Sequence, residues 1–260
     1  MRYRKSEDFT SPSVDNFWFW HRRRILDLVR SAIPTLPSDA PIGVDVGCGD
    51  GYVARKIANE SSFLHFIGVD AFWDHVRFID AENAYDESAK RVEPVMGNVY
   101  AIPIKDGAAD LVICSEVVEH LTDDARALAE LHRVLAPGGV LILATPNGAP
   151  LPHRLVWALR GKRPPDVSDP LPVKGTAPDS QLHGHINVQD LPYWRSALRK
   201  ANFVVEAVRP VTFFYGAASL DRHPLRFALA LVIQALTSRF SWGHHFSEGL
   251  IIRARRPRSA

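Results

Sequence analysis

The apolar positions of this chain change their period several times. From His21 to Ile33 they fall at Ile25, Leu28, Val29 and Ala32, one stripe of a helix, with Arg22, Arg23 and Arg24 pointing elsewhere. An aromatic cluster, Phe17 to Trp20, precedes this helix, and three prolines between Ser31 and Pro41 break it. From Pro41 onward short apolar runs alternate with helical stretches. Ile42 to Val46 predicts a strand ending in glycines, followed by a helix from about Tyr52 to Asn59. Phe63 to Val69 is the next strand, closed by Asp70, and Val92 to Met96 a weaker third. Ala109 to Cys114 is a fourth, a helix runs from about Asp123 to Leu135, and Gly138-Gly139 opens a fifth strand, Val140 to Ala144. Strands separated by helices need crossover connections, so the pattern predicts a parallel sheet in a doubly wound α/β fold.

After Pro146 the alternation stops. Residues 147 to 187 carry seven prolines, with a short helical patch near Leu155 to Leu159, the pattern of a long functional loop or lid, or else of a disordered insertion. Periodicity returns as a helix from Val188 to Ala201 and a strand from Phe203 to Val208. A helical insertion, Leu225 to Leu236, precedes the last strand, Gly249 to Ala254, which brings the predicted sheet to seven strands. The expected organisation is a helical cap over 1–41, a core over 42–147, a lid insertion over 148–187, and a return to the same sheet over 188–260.

Composition changes this picture little. Hydrophobic residues make up 46% and charged residues 23%, the balance of a folded globular protein. A net charge of +2 gives no argument for nucleic acid, although arginines cluster at 22–24 and again at 253, 255, 256 and 258. Met1 to Thr10 is polar and charged, unlike a secretory leader, and the longest apolar stretch is far short of a membrane span. The two cysteines, Cys48 and Cys114, each sit beside a core strand, which argues for a reduced cytoplasmic setting rather than a disulfide framework. The Leu225 to Leu236 helix, flanked by Arg222, Arg226 and Arg239, suits a core or dimer contact, or a membrane surface.

The candidate chemistry starts at Val44-Asp45-Val46-Gly47-Cys48-Gly49-Asp50-Gly51, where the first strand turns into the first helix. Glycines there permit a tight turn and close approach of a ligand to backbone, and the helix beyond offers unpaired N–H groups. A dinucleotide fingerprint would need a third glycine where Tyr52 stands, so a nicotinamide oxidoreductase is disfavoured. The acid at Asp45 followed by G-x-G-x-G resembles the first motif of class I S-adenosylmethionine (SAM)-dependent methyltransferases, and further matches follow in order. Asp70 ends the second strand, where the family's acid binds both ribose hydroxyls. Gly97-Asn98-Val99 is similar to the family's adenine-contacting turn, with Asn98 in place of the usual Asp. Ile102 to Leu121, including Glu116-Val117-Val118-Glu119-His120, and Leu135 to Gly139 resemble its fourth strand and the turn before its fifth.

The resemblance covers about residues 42 to 147 and implies a Rossmann-like sheet binding SAM, with S-adenosylhomocysteine (SAH) as product. It implies cofactor contacts from Asp45, Gly47, Cys48, Gly49 and Gly51, from Asp70 with Ala71, from Asn98 and Val99, and from Ser115. Cys48 is expected to serve as a small side chain, not a nucleophile. Outside that core, Asn16 to Arg24, Thr145-Pro146-Asn147, His183-Gly184-His185 and Ala201-Asn202-Phe203 resemble bacterial methyltransferases of sugar, lipid or secondary-metabolite pathways, in which Gly commonly stands at Asn202. An oxygen of a small-molecule, sugar or lipid-like acceptor is therefore expected to take the methyl group. Glu116, His120 and His185 are the candidate catalytic residues, because a hydroxyl acceptor needs a base at the carboxyl edge of the strands. No metal is expected, since His183-x-His185 needs further ligands that sequence order does not place. The alternative from another class is a regulatory protein that binds SAM or SAH without turnover.

Overall fold

The computed structural model describes residues 16–36, 40–60, 63, 65–85, 92–148, 150–159, 185–211, 232 and 241–258. Seven strands form one sheet: β1 (Ile42–Val46), β2 (His65–Asp70), β3 (Val92–Met96), β4 (Ala109–Ser115), β5 (Leu135–Pro146), β6 (Val204–Pro210) and β7 (Gly249–Arg255). Their order is β3-β2-β1-β4-β5-β7-β6; β1 to β5 run parallel, and β7 is antiparallel to both β5 and β6. The six α-helices of the described residues are α1 (Asn16–Ala32), α2 (Tyr52–Glu60), α3 (Trp73–Tyr85), α4 (Asp124–Val134), α5 (Leu151–Leu159) and α6 (Leu191–Lys200).

The central strands are apolar on both sides because helices cover both faces of the sheet. On one face Val44, Val46, Val112, Cys114, Leu141, Leu143 and Ile252 meet α4 through Leu128 and Leu131 and α6 through Trp194 and Leu198. On the other, the alternate residues Leu111, Ile113, Val140, Ile142 and Ile251 meet α1 through Ile25, Leu28 and Val29 and α2 through Ala54 and Ile57. The predicted N-terminal stripe therefore seats α1 on the sheet, and Arg253 donates from β7 to the Ala32 carbonyl at its end.

Several boundaries differ from the sequence pattern for identifiable reasons. β2 starts at His65, not Phe63; Phe63 instead stacks edge-on against Phe66 with ring centroids 5.1 Å apart. β5 begins at Leu135, before Gly138-Gly139, because Leu135 pairs with Ala109 across a register shift. Val92–Met96 reads weakly because it is an edge strand, the place where a sheet tolerates Pro94. Asp123 and Asp190 cap α4 and α6 by accepting from the Arg126 and Tyr193 N–H groups. Asn202 closes α6 at φ 64, the left-handed conformation that Asn enters more readily than other non-glycine residues, which accounts for an Asn in a glycine's place. Residues 160–184, with most of the expected lid and His183, and nearly all of the Leu225 to Leu236 helix lie outside the described residues, as do the side chains of Phe17 to Trp20.

Candidate functional site

The carboxyl ends of β1, β2 and β4 meet along one edge of the sheet, at the point where the strand order reverses between β1 and β4. After β1 the chain turns through Gly47, Gly49 and Gly51, all with positive φ. Gly47 and Cys48 donate to the Val69 carbonyl at 2.7 and 3.2 Å, which ties the loop to β2. A Cβ on Gly47 would lie 2.3 Å from Val117 and one on Gly51 2.8 Å from Ile79, whereas one on Gly49 would meet no atom within 4 Å. Gly49 thus turns a bare backbone toward open space. The Cys48 side chain is buried beside Gly68, and burial pushes its thiol far up, which suits packing and not nucleophilic attack.

Asp70 faces this loop. Its Oδ2 accepts the Gly49 N–H at 2.9 Å, while Oδ1 accepts the Phe72 N–H at 2.9 Å and lies 3.0 Å from His75 Nδ1. Burial opposes its charge, but the hydrogen bonds from His75, Phe72 and Gly49 outweigh it and hold the carboxyl below its ordinary range. A carboxylate has about four lone-pair sites, so three donors leave one on Oδ2; displacing His75 would open a second, as a vicinal diol requires. Asp45 is buried beneath the loop, accepts a backbone hydrogen bond from Ala54 in α2, and is pushed up to about 7 by burial and then by the charges of Asp70 and Asp50. Ala71 and Asn98 are exposed beyond β2 and β3, and Val99 is half-buried. Asn98 Oδ1 accepts the Tyr100 N–H at 2.9 Å.

A backbone clamp backs this region. Arg133 in α4 donates to the carbonyls of Ile102 and Ile104 at 2.8 and 2.9 Å and to Asp106 and Glu130, and Glu130 in turn accepts the Ile102 N–H. Neither Arg133 nor His75 stood out in the sequence. The Glu130–Arg133 spacing on α4 hinted at an ion pair but not at its backbone partners.

Across the edge, β4 ends at half-buried Ser115, and the next residue, Glu116, has φ 56. A non-glycine residue held there stores strain, a feature concentrated at functional sites. A short 3-10 turn, Val118–His120, follows and carries fully buried Glu119. The Glu119 carbonyl accepts the N–H groups of Ile186 and Asn187 at 2.8 and 2.9 Å. Those two bonds bring His185 back from the end of the long insertion, and its ring stands 5.0 Å from that of His120, edge to face. All three sequence-predicted catalytic residues, Glu116, His120 and His185, thus gather at one strand end, joined by Glu119. Burial, followed by the neighbouring His120, pushes His185 down to about 4, so the ring is neutral. Enclosure pushes Glu116 up to about 7 and Glu119 well above its ordinary range, with the charge of Glu116 adding to the effect on Glu119.

The glycine loop and Asp70 fit an adenosyl cofactor on two observations: the open face at Gly49, where a Cβ would project freely, and a buried carboxylate with acceptor capacity beside it. Comparison with known proteins agrees. Residues 44–143 match the family model described as a methyltransferase domain. A probable S-adenosylmethionine-dependent methyltransferase of Mycolicibacterium smegmatis is 35% identical over 138 residues, 53% of this chain and 49% of the relative. The chain spans about half the length of the curated relatives it matches first. Among solved structures, the [4+2]-cyclase SpnF superposes with a TM-score of 0.61 at 19% identity, covering 91% of this chain and 81% of that one. Phosphoethanolamine N-methyltransferase 2 of Haemonchus contortus, in complex with SAM, gives 0.58 at 16% identity, covering 91% and 53%. At such identities the likeness is one of fold. The domain match over residues 44–143 and the loop geometry agree in marking this segment as a methyltransferase domain, the part of the chain that is similar to class I SAM-dependent methyltransferases.

Proposed function

We propose that this protein transfers the methyl group of SAM to an oxygen of a small-molecule, sugar or lipid-like acceptor. The observation that carries the proposal is the juxtaposition at one sheet edge of a glycine loop with an acid at the next strand end and, after β4, a group of two carboxyls and two imidazoles. SAM supplies an electrophilic methyl on sulfonium sulfur, so the protein's share is alignment, close approach and exclusion of water. Asp70 and the backbone of Gly49 hold the adenosyl side, and Glu116, His120 and His185 face the acceptor side. The acceptor oxygen forms its bond to carbon as the carbon–sulfur bond breaks and its electron pair stays on sulfur. The proton released by the hydroxyl passes to a group beside β4, which supports oxygen over an acceptor that needs no base.

The test is incubation of the purified chain with methyl-labelled SAM and a small-molecule extract. Label is expected in a low-mass product whose methyl resists mild alkali, as an ether does and an ester does not. Tight SAH binding with no label leaving SAM would overturn transfer in favour of the second reading, a SAM- or SAH-binding protein without turnover. The fold likeness to a [4+2]-cyclase keeps that reading in play, since one fold carries more than one chemistry.

A further inference from the structure

We propose that Glu119, His120 and His185 form a site for a divalent metal ion of the imidazole–carboxylate class, such as Zn2+, Mn2+, Fe2+ or Co2+, and that the ion seats the acceptor oxygen. The site stands on its own geometry; only its acceptor role rests on the methyl-transfer reading.

One carboxylate oxygen of Glu119 and one ring nitrogen of each histidine all lie within 4.8 Å of one another. Glu119 Oε1 is 3.9 Å from His120 Nε2. Around an ion bound at about 2.0–2.2 Å, tetrahedral donors lie roughly 3.3 Å apart. The set must therefore contract by about an ångström, a movement open to imidazoles that are only partly buried. Glu119 is fully buried, and its Oε1 has no hydrogen-bond partner, while Oε2 receives only a long contact from the Thr145 hydroxyl at 3.4 Å. A buried oxygen left without a partner is costly, and this one points at the two imidazoles. Glu116 lies close enough to interact with Glu119 electrostatically, and among the described residues no Lys or Arg forms an ion pair with either carboxylate. The Glu119 carboxylate, with no Lys or Arg partner and beside two imidazoles, makes with them a donor set that a divalent ion completes.

The positions are also fixed. The Ile186 and Asn187 N–H groups grip the carbonyl of Glu119 itself, so one ligand's backbone anchors the segment that presents another. The ion would stand at the carboxyl end of β4, across the edge from the Gly49–Asp70 side. An oxygen donor of the acceptor could take an open coordination position there, as in catalytic metal sites. With both histidines on the ion, Glu116 remains as the nearby proton acceptor.

Purified full-length protein, stripped with EDTA and exchanged into metal-free buffer, is titrated with Co2+ and followed by visible d–d absorbance, then challenged with Zn2+. The expected result is one equivalent of Co2+ in an ordered site, displaced by Zn2+. His185→Ala and His120→Ala should each lose at least ~10-fold in affinity, the low end of what even an outer-shell change produces, with SAH binding by calorimetry unchanged. Glu119→Gln is a third variant, while His185, at the end of the insertion, is the safer one for folding. Absence of a Co2+ signal in protein that binds SAH overturns the metal site and leaves methyl transfer intact. Undiminished Co2+ binding in the His120→Ala/His185→Ala double variant overturns it too. Label transfer from SAM that falls on EDTA treatment and returns with Zn2+ or Mn2+ supports the acceptor role, and transfer indifferent to metal overturns it. Co2+ binding without any transfer removes the acceptor role together with the methyl-transfer reading and keeps the site.

Discussion

The imidazole of His75 occupies the carboxylate oxygen of Asp70 that an adenosyl ribose would need: His75 Nδ1 lies 3.0 Å from Asp70 Oδ1, on a carboxylate that already accepts two backbone N–H groups. Asp70 is partly an internal structural acceptor, and cofactor binding must compete for it.

This competition depends on pH. The hydrogen bond to Asp70 raises His75 above its ordinary value of 6.5, against burial, and that same bond helps to lower Asp70 below 3.8. The folded-state depression of Asp70 stabilises the chain above pH 3.8 and is lost as pH falls through the folded value. The elevation of His75 stabilises it below pH 6.5 and is lost as pH rises through the folded value. The ion pair is therefore fully present between those limits, where it opposes the ribose hydroxyl most. SAH affinity should rise several-fold, on the order of 1 kcal/mol for a partly exposed pair, as pH climbs from 6 to above the His75 value. His75→Ala should flatten that slope in calorimetry, and Asp70→Asn should weaken binding across it. A slope that survives in His75→Ala would refute the competition.

The glycine loop and the β4 edge are locked by a steric contact. Gly47 sits at φ 74, and a Cβ there would lie 2.3 Å from a methyl of Val117, the neighbour of Glu116. Gly47→Ala should cost about 2–5 kcal/mol in urea unfolding, roughly 1–3 from the overlap and 1–2 from the left-handed backbone. Adding Val117→Ala should recover the overlap and not the backbone part. Equal stabilities of wild type and Gly47→Ala would show that the loop can yield.

The strands were the most legible part of the chain. Ile42 to Val46 has the bounds its apolar run predicts, because burial on both faces writes itself as a mostly apolar run, and the edge strand Val92 to Met96, exposed at Glu93 and Met96, keeps its predicted bounds on a weaker pattern. α3 left little trace: of its described side chains only Val76 and Ile79 are buried, among Asp74, Arg77 and Asp80. At the site, the glycines and Asp70 form a local pattern and could be found. The gathering of Glu119, His120 and His185 could not, because it depends on two backbone hydrogen bonds to the Glu119 carbonyl from a segment beyond a long insertion. Backbone bonds carry no side-chain signature. For the same reason Arg133 reads as an ordinary surface arginine, although four of its partners lie in the segment 102–106 or on Glu130.

Arg133 makes that segment rigid. Truncation would leave the Ile102 and Ile104 carbonyls without this donor and Glu130 and Asp106 without their cation. Arg133→Ala is expected to lower stability by about 1–3 kcal/mol, discounted for partial exposure, and to weaken SAH binding although Arg133 lies in α4. Arg133→Lys should restore little, since an ammonium cannot span two carbonyls and a carboxylate in one plane. Thermal melts and SAH calorimetry would check both effects, and an Arg133→Lys protein indistinguishable from wild type would dismiss the clamp.

Asp45 gives the chain a stability that should fall with pH. Burial first, then the charges of Asp70 and Asp50, raises its folded value from 3.8 to about 7, while the unfolded chain ionises it near 3.8. Between those values the folded state holds a proton that the unfolded state has released, so stability declines as pH rises through the interval and levels off above it. The difference has an upper bound of about 4 kcal/mol, at ~1.4 kcal/mol per unit. Asp45→Asn keeps an oxygen for the Ala54 backbone and removes the ionisation. Its melting temperature should match wild type near pH 4 and exceed it increasingly up to pH 7 to 8, whatever Glu116 and Glu119 contribute to both proteins. Melting curves that stay parallel across pH would mean that Asp45 is ionised at little cost beneath the loop. The same variant should lose affinity for SAM, a cation at sulfur, more than for SAH, which is neutral there, if that buried charge acts on the ligand above it.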